Sequence, residues 1–344
     1  RSRLLEALDY YWNRFWVHDG RIKLVVCGSA SSWIIDNIIN NKGGLYNRVT
    51  RTIRLDPFSL HEVRAFLEFL GVKLTAQQIL ELYMVFGGIP QYLSLIRKGQ
   101  SASQCIDELC FSKDGALADE FDRLFASLFH DSENYVLLIK ILAQHRYGMG
   151  QADLIRESGL PEGGSTVRRL KELEESGFIM SFIPHGHSEK GKYYKIIDEF
   201  TIFYMQWMGV RRSSLKKRDQ TPGQWLSISQ SPAWKSWSGY AFEAVCFKHL
   251  AQIRHALGIA VDAEVGTWRY QPRSSSGESG AQIDLLFDRR DGAISICEIK
   301  HSTKPFSIDK TYADNLLNKV EVYRKHSKTG KQVFISIIAS AGLK

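Results

Sequence analysis

An apolar run near the end of the chain, Gly280-Ala281-Gln282-Ile283-Asp284-Leu285-Leu286-Phe287, is interrupted by one carboxylate, Asp284. A second run, Ala293-Ile294-Ser295-Ile296-Cys297-Glu298-Ile299-Lys300, closes on an acid and a lysine two residues apart. A carboxylate inside an apolar strand is costly unless it is paired, hydrogen-bonded or bound to metal, so each acid needs a reason to be there. Side chains alternate along a strand, which puts Glu298 and Lys300 on one face. Two carboxylates beside a lysine offer hard oxygen ligands for Mg²⁺ or Mn²⁺. The lysine adds a cation to steady an attacking water or the charge that develops at phosphorus. The chemistry this set would do is metal-dependent phosphodiester hydrolysis, with Asp284, Glu298 and Lys300 as the reacting groups.

The elements that must position these residues are legible around them. Asp291-Gly292 is a hairpin-turn signal, so the two runs read as paired strands. A helix from Gly239 to Ile253 opens this last α/β unit, and a helix of Tyr312 to Tyr323 and a strand of Gln332 to Ala339 close it. Upstream, residues 131–205 read as three short helices followed by two β runs, Phe178 to Ile183 and Lys192 to Ile197, around a loop at 184–191. That is the winged-helix pattern, which sets its third helix in a DNA major groove or spaces protein domains. Ser165 or Thr166 caps the third helix, Val167, Leu170 and Leu173 form its inner stripe, and Arg168, Arg169 and Lys171 lie off that stripe. With Lys190 and Lys192 of the wing, these are the candidate nucleic-acid contacts. His185 and His187 in the same loop read as exposed histidines that bind nothing.

The first 130 residues have a different grammar. A helix around Leu4 to Phe15 precedes a strand-length run, Ile22 to Cys27, a turn at Gly28-Ser29-Ala30-Ser31-Ser32 and an apolar helix from Trp33 to Ile39. A second short strand, Thr52 to Leu55, stops at Asp56-Pro57, and Ser59 with Glu62 forms a capping-box signature. Three amphipathic helices follow near 59–70, 75–86 and 90–97, broken by Gly87-Gly88-Ile89-Pro90.

Composition limits the function classes. The 344 residues are 44% hydrophobic and 24% charged, with a net charge of +8, which excludes disordered, collagenous and disulfide-scaffold chains. Residues 1–132 are neutral, with 15 Lys+Arg against 15 Asp+Glu, so the whole excess lies in 133–344, where a polyanion would be met. No run approaches the roughly 20 apolar residues of a membrane span. Five scattered cysteines without a C-x-x-C pair fit a reducing cytoplasm.

The C-terminal set resembles the PD-(D/E)xK nuclease superfamily. The resemblance implies that Asp284 is the first metal-binding acid, that Glu298-Ile299-Lys300 is the E-x-K element, and that Glu243, in Tyr240-Ala241-Phe242-Glu243, is a further acid from the preceding helix. Glu243, Asp284 and Glu298 would then hold the metal, and Lys319 is a further basic residue. Ile283 stands where the motif has proline. The order of parts resembles a prokaryotic AAA+ ATPase family with a helical lid, a winged helix and a C-terminal nuclease-like domain. The residues that carry this are Val25 to Ser32, the stretch from Leu45 to Ser59, Gly87 to Leu93, the winged helix and the nuclease-like set.

That resemblance implies an α/β multidomain chain: 1–56 as the remainder of an AAA+ core, 57–130 as lid, 131–205 as winged helix, 206–235 as basic linker and 236–344 as nuclease-like domain. Ser29 and Ser31 would sense nucleotide, and Arg48 or Arg51 would be an arginine finger. No G-x-x-x-x-G-K-[ST] occurs, so this chain is not expected to hydrolyse ATP. ATP is expected only with upstream sequence, which the start at Arg1 suggests. DNA and further copies bound through the AAA+ part are the partners implied.

Overall fold

Ser59 opens its helix as the capping signature requires. Its hydroxyl accepts from the Glu62 amide, and the Glu62 carboxylate accepts from the Ser59 amide at 2.8 Å. Thr75 with Gln78 and Ser101 with Gln104 repeat the device. The computed structural model describes residues 3–28, 38–39, 48–185, 191–211, 223–272 and 280–344, and within them the chain is mixed α/β with two separate sheets.

Helix α1 (Leu4–Arg14) buries none of its residues. The strands expected at Ile22 to Cys27 and Thr52 to Leu55 do not form: both stretches are exposed, with neither helix nor strand. A strand exists only against a hydrogen-bonded neighbour, and among the described residues neither run has one. The turn at Ser29 to Ser32 and most of the helix from Trp33 lie outside the described residues.

A helical block follows: α2 (Leu60–Phe69), α3 (Ala76–Phe86), α4 (Pro90–Leu93), α5 (Ala102–Ile106) and α6 (Glu120–Leu128). The helix expected over 90–97 is only one turn long. Gly88 lets it approach, since a Cβ there would sit 1.9 Å from the Phe58 carbonyl oxygen. The next unit is α7 (Ser132–Gln144), β1 (Met149–Gly150), α8 (Gln151–Ser158), α9 (Gly164–Glu175), β2 (Ile179–Phe182) and β3 (Tyr193–Ile196), with an antiparallel sheet in the order β1-β3-β2. Helix α9 has no side-chain cap. Thr166 is turned inward, its hydroxyl donating to the Pro161 carbonyl at 2.9 Å, and Val167 is exposed while Leu170 and Leu173 are buried.

Residues 206–235 are not a solvated linker where they are described. Helix α10 (Glu199–Phe203) runs on to Met208, α11 is Gln224–Ser229, and α12 (Pro232–Lys248) begins before the expected Gly239. Trp207, Trp225 and Trp234 pack with Trp237 at ring-centroid separations between 4.8 and 6.3 Å. The Asp107 carboxylate caps α11 from across the fold, accepting from the Gly223 and Trp225 amides at 2.7 Å each. Serine-rich composition hid a packed aromatic cluster.

The last unit is α13 (Leu250–Leu257), β4 (Glu264–Tyr270), β5 (Ala281–Asp288), β6 (Ala293–Lys300), α14 (Lys310–Ser327) and β7 (Gln332–Ala339). The sheet order is β4-β5-β6-β7, with β6 and β7 parallel and joined through α14. Gly292, at φ +81°, makes the turn between β5 and β6. One core runs from the helical block through α12 to Leu285, Phe287, Cys297 and Ile299, while Trp268, Ile283, Leu286, Ile294, Ile296 and Tyr323 form a smaller one. Two polar links tie the helical block and α10 to α12. His249 Nδ1 donates to the Val245 carbonyl and its Nε2 accepts from the Leu60 amide at 2.9 Å, and Lys248 pairs with buried Glu199 at 2.5 Å.

Candidate active site

Asp284 and Glu298 meet because β5 and β6 pair antiparallel with Leu285 opposite Cys297. Asp284 Oδ2 accepts from the Ile299 amide at 3.4 Å, and its Oδ1 accepts from the Gln282 side chain at 3.2 Å. Glu298 is 3% exposed and fully engaged. Tyr312 donates to its Oε1 at 2.8 Å, Lys300 stands 3.0 Å from the same oxygen, and Lys319 is 2.7 Å from Oε2. Tyr312 and Lys319 come from α14, two turns apart on one helix face. Burial alone would raise the Glu298 carboxyl, but the Lys319 hydrogen bond and charge, Tyr312 and Lys300 together hold it below its ordinary value. Burial pulls Lys300 down and Glu298 more than restores it, so Lys300 keeps its proton more firmly than a free lysine.

Asp284 behaves differently. Burial first, and then the charge of Glu298, raise its carboxyl above the usual range despite Lys319, the Ile299 amide and Lys300. Glu243, on α12, is pushed up to about 8 by burial and by Asp284, with Lys195 and Lys300 opposing. Lys195 reaches this group from β3, in the other sheet. It is buried, its ammonium lies 3.2 Å from the Phe247 ring centroid one helical turn beyond Glu243, and burial brings it down to about 7 against the pull of Glu243 and Asp284. The site is therefore composite: three carboxylates and three ammonium groups, one of them supplied by the β1-β3-β2 unit.

Sequence reasoning passed over Lys195 and Tyr312. The signal for Lys195 was present, because a lysine within Tyr193-Tyr194-Lys195-Ile196-Ile197 interrupts an apolar strand just as Asp284 does. Among the described residues, no three His, Cys, Asp or Glu side chains stand where they could share a metal ion. Glu243 and Asp284, an acid pair whose proton affinity is raised by burial and mutual repulsion, have the donor chemistry for a dication, since Mg²⁺ is commonly held by one or two carboxylates and water. Glu298 is committed to Lys300, Lys319 and Tyr312 instead.

The other candidates are scattered. Arg168 pairs with Glu172 at 3.6 Å, Arg169 with Asp131 at 3.7 Å, Lys171 with Glu175 at 3.5 Å and Lys192 with Glu174 at 3.6 Å, so each carries its own counter-charge. Lys190, Ser29 and Ser31 lie outside the described residues, while Arg48 and Arg51 are exposed. His185 is not an idle loop residue. Its Nε2 is 3.1 Å from Asp288 and its Nδ1 is 3.3 Å from the Tyr323 hydroxyl.

No family model matches the chain. Among curated proteins it is similar to "Uncharacterized protein MJECL04" of Methanocaldococcus jannaschii, 23% identical over 331 residues that cover 94% of this chain and 68% of that one. Among solved structures it is similar to the Walker-type ATPase PABY2304 of Pyrococcus abyssi, at 18% identity and a TM-score of 0.43. That likeness covers 60% of this chain and spans 59% of the ATPase. Likeness at that level leaves function to be argued from the site. No helix of the described residues is long and apolar enough to cross a membrane.

Proposed function

We propose that the chain is a nucleic-acid phosphodiesterase of the PD-(D/E)xK type, with its reacting groups in the last four-stranded sheet. The observation that carries the reading is the junction of β5 and β6, where Asp284 accepts from the backbone between Glu298 and Lys300 while Glu243 faces it from α12. The helix–three strands–helix–strand order of this unit supports it. Glu243 and Asp284 would hold Mg²⁺ or Mn²⁺, which when bound would lower the proton affinity of a water and offset charge at phosphorus.

The chain's own residues do the rest. Lys300 is anchored by Glu298 and stays protonated, so it is set to hold a phosphate oxygen or orient the attacking water. Lys319 and Tyr312 fix Glu298 so that Lys300 has one position. Burial and mutual repulsion bias Glu243 and Asp284 toward holding a proton between them until a cation arrives.

Cleavage of supercoiled, linear and single-stranded DNA with Mg²⁺ or Mn²⁺, compared between wild type and the Asp284→Ala and Lys300→Ala variants, tests this. Both variants lose activity by at least ~100-fold if the roles are right. Activity undiminished in both overturns the assignment. A second reading, a DNA- or partner-binding regulator without cleavage, is favoured by the full engagement of Glu298 with two lysines and a tyrosine. It predicts DNA binding that weakens with salt and no cleavage with either metal. A role for Arg48 or Arg51 in ATP turnover is retained only together with a phosphate-binding loop, which these 344 residues do not contain.

A further inference from the structure

We infer that the cleft between the two sheets takes a single, unpaired nucleic-acid strand. The inference rests on the phosphodiesterase reading for the class of its ligand and narrows that reading to one form of substrate.

The cleft has a volume of about 300 Å³. One wall carries Arg146, Tyr147 and Lys195 from the β1-β3-β2 unit, the other Trp268 and Arg269 from β4, and Glu243 and Asp284 line it between them. That is the small end of ligand-pocket sizes, room for a nucleotide-sized group. A duplex does not fit, since its grooves alone are ~6 and ~12 Å wide. The walls cannot simply part, because they are bonded: the His185 amide donates to the Thr267 carbonyl at 3.1 Å, and the His185 ring bridges Asp288 and Tyr323. The acids thus line a nucleotide-sized cavity whose walls are held together.

The charges agree. Arg146 and Arg269 have no carboxylate partner among the described residues, whereas Arg168, Arg169, Lys171 and Lys192 on and beside α9 are all paired with acids. Of these six cations, the two without a carboxylate partner stand at the cleft and not on the helix that a winged helix would set in a major groove. Arg269 lies 4.6 Å from the centroid of the Tyr147 ring, which is half exposed. A flat aromatic with a guanidinium above it is a surface on which bases stack without sequence preference. Lys195 stands deeper, near the acids, where a phosphate held at the mouth would point its next linkage.

The test is fluorescence anisotropy with the full chain in chelator, so that binding is read without cleavage. The probes are a fluorescein-labelled oligothymidylate of about 12 nucleotides, within the ~4–16 nucleotide range of single-strand sites, and a labelled duplex of equal length. The single strand binds about ten-fold tighter than the duplex, and Arg269→Ala and Tyr147→Ala each weaken it about ten-fold. Both side chains are exposed, and matching urea midpoints establish that the variants are folded. Equal or tighter binding of the duplex, no binding of either probe, or a larger loss in Arg168→Ala than in Arg269→Ala overturns the inference. Cleavage assays separate the two readings. Single-strand binding in the cleft without cleavage under Mg²⁺ or Mn²⁺ overturns the phosphodiesterase alone, and cleavage of duplex without single-strand preference overturns the cleft assignment alone.

Discussion

Replacing Lys195 by methionine is expected to stabilise the protein while weakening its hold on an anion. A lysine held at about 7 in the fold and near 10.5 when unfolded is a liability at low pH, because the unfolded chain binds its proton more tightly. The sign follows from that: the lysine's favourable balance is complete above 10.5, and is lost as pH falls through about 7. At ~1.4 kcal/mol for each factor of ten in proton affinity, the full penalty is about 5 kcal/mol. Methionine keeps much of the aliphatic length over Phe247 and Phe182 but forfeits the cation–π contact, worth about 2 kcal/mol when desolvated. Loss of the counter-charge to Glu243 matters little at about pH 6, because Glu243, pushed up to about 8, already holds its proton there. The net gain is about 3 kcal/mol near pH 6, or about 4 °C in Tm for a chain of this size, and it shrinks toward pH 9. Urea unfolding of wild type and Lys195→Met across that range reads it directly. A variant less stable than wild type near pH 6, or a gain independent of pH, would refute the reasoning.

Other expectations concern the frame that holds the site. Lys248→Met leaves Glu199 buried without its partner and costs about 3–5 kcal/mol at neutral pH. Burial raises the Glu199 carboxyl above 4.5 in the fold, so that cost fades as pH falls from neutral towards about 4.5 and is gone below it, where both states are protonated, and Glu199→Gln in the same chain restores most of it, as a double-mutant cycle in urea would measure. Gly88→Ala drives a methyl into the Phe58 carbonyl, so the loss exceeds about 3 kcal/mol or the protein fails to accumulate, by urea unfolding or soluble yield. Asp107→Ala removes two hydrogen bonds to the start of α11 and costs about 1–3 kcal/mol by thermal melt, with local deprotection of the Gly223 and Trp225 amides in hydrogen exchange.

Much of the site was legible because its signals are local. An Asp-Gly turn between two apolar runs specifies the pairing of β5 with β6, and that pairing alone brings Asp284 to Glu298 and Lys300. Ser59 with Glu62 announces α2 in the same way. What escaped was long-range. Nothing local says that Lys195 crosses to Glu243, that Asp107 caps a helix more than a hundred residues later, or that Trp207, Trp225 and Trp234 assemble a core out of a serine-rich stretch. The apolar pattern at Ile22 to Cys27 misled for the converse reason: a strand needs a neighbour, and pattern cannot supply one. The α9 basic residues misled more avoidably, since Arg168 with Glu172 and Lys171 with Glu175 have the i, i+4 spacing at which charges cancel on one helix face.

The tryptophan cluster gives the molecule an optical division of labour. Four of the eight indoles, Trp207, Trp225, Trp234 and Trp237, lie within 6.3 Å of a neighbouring indole, close enough to exchange excitation energy and to couple in near-ultraviolet dichroism. They emit and disperse as one group, and their signal follows the packing of α10, α11 and α12. Trp268 stands apart on β4, at the cleft wall and edge-on to Tyr323 at 5.1 Å. A quencher or ligand entering the cleft would dim Trp268 while leaving the coupled dichroism of the other four unchanged, so occupancy and unfolding can be followed separately in one unlabelled sample.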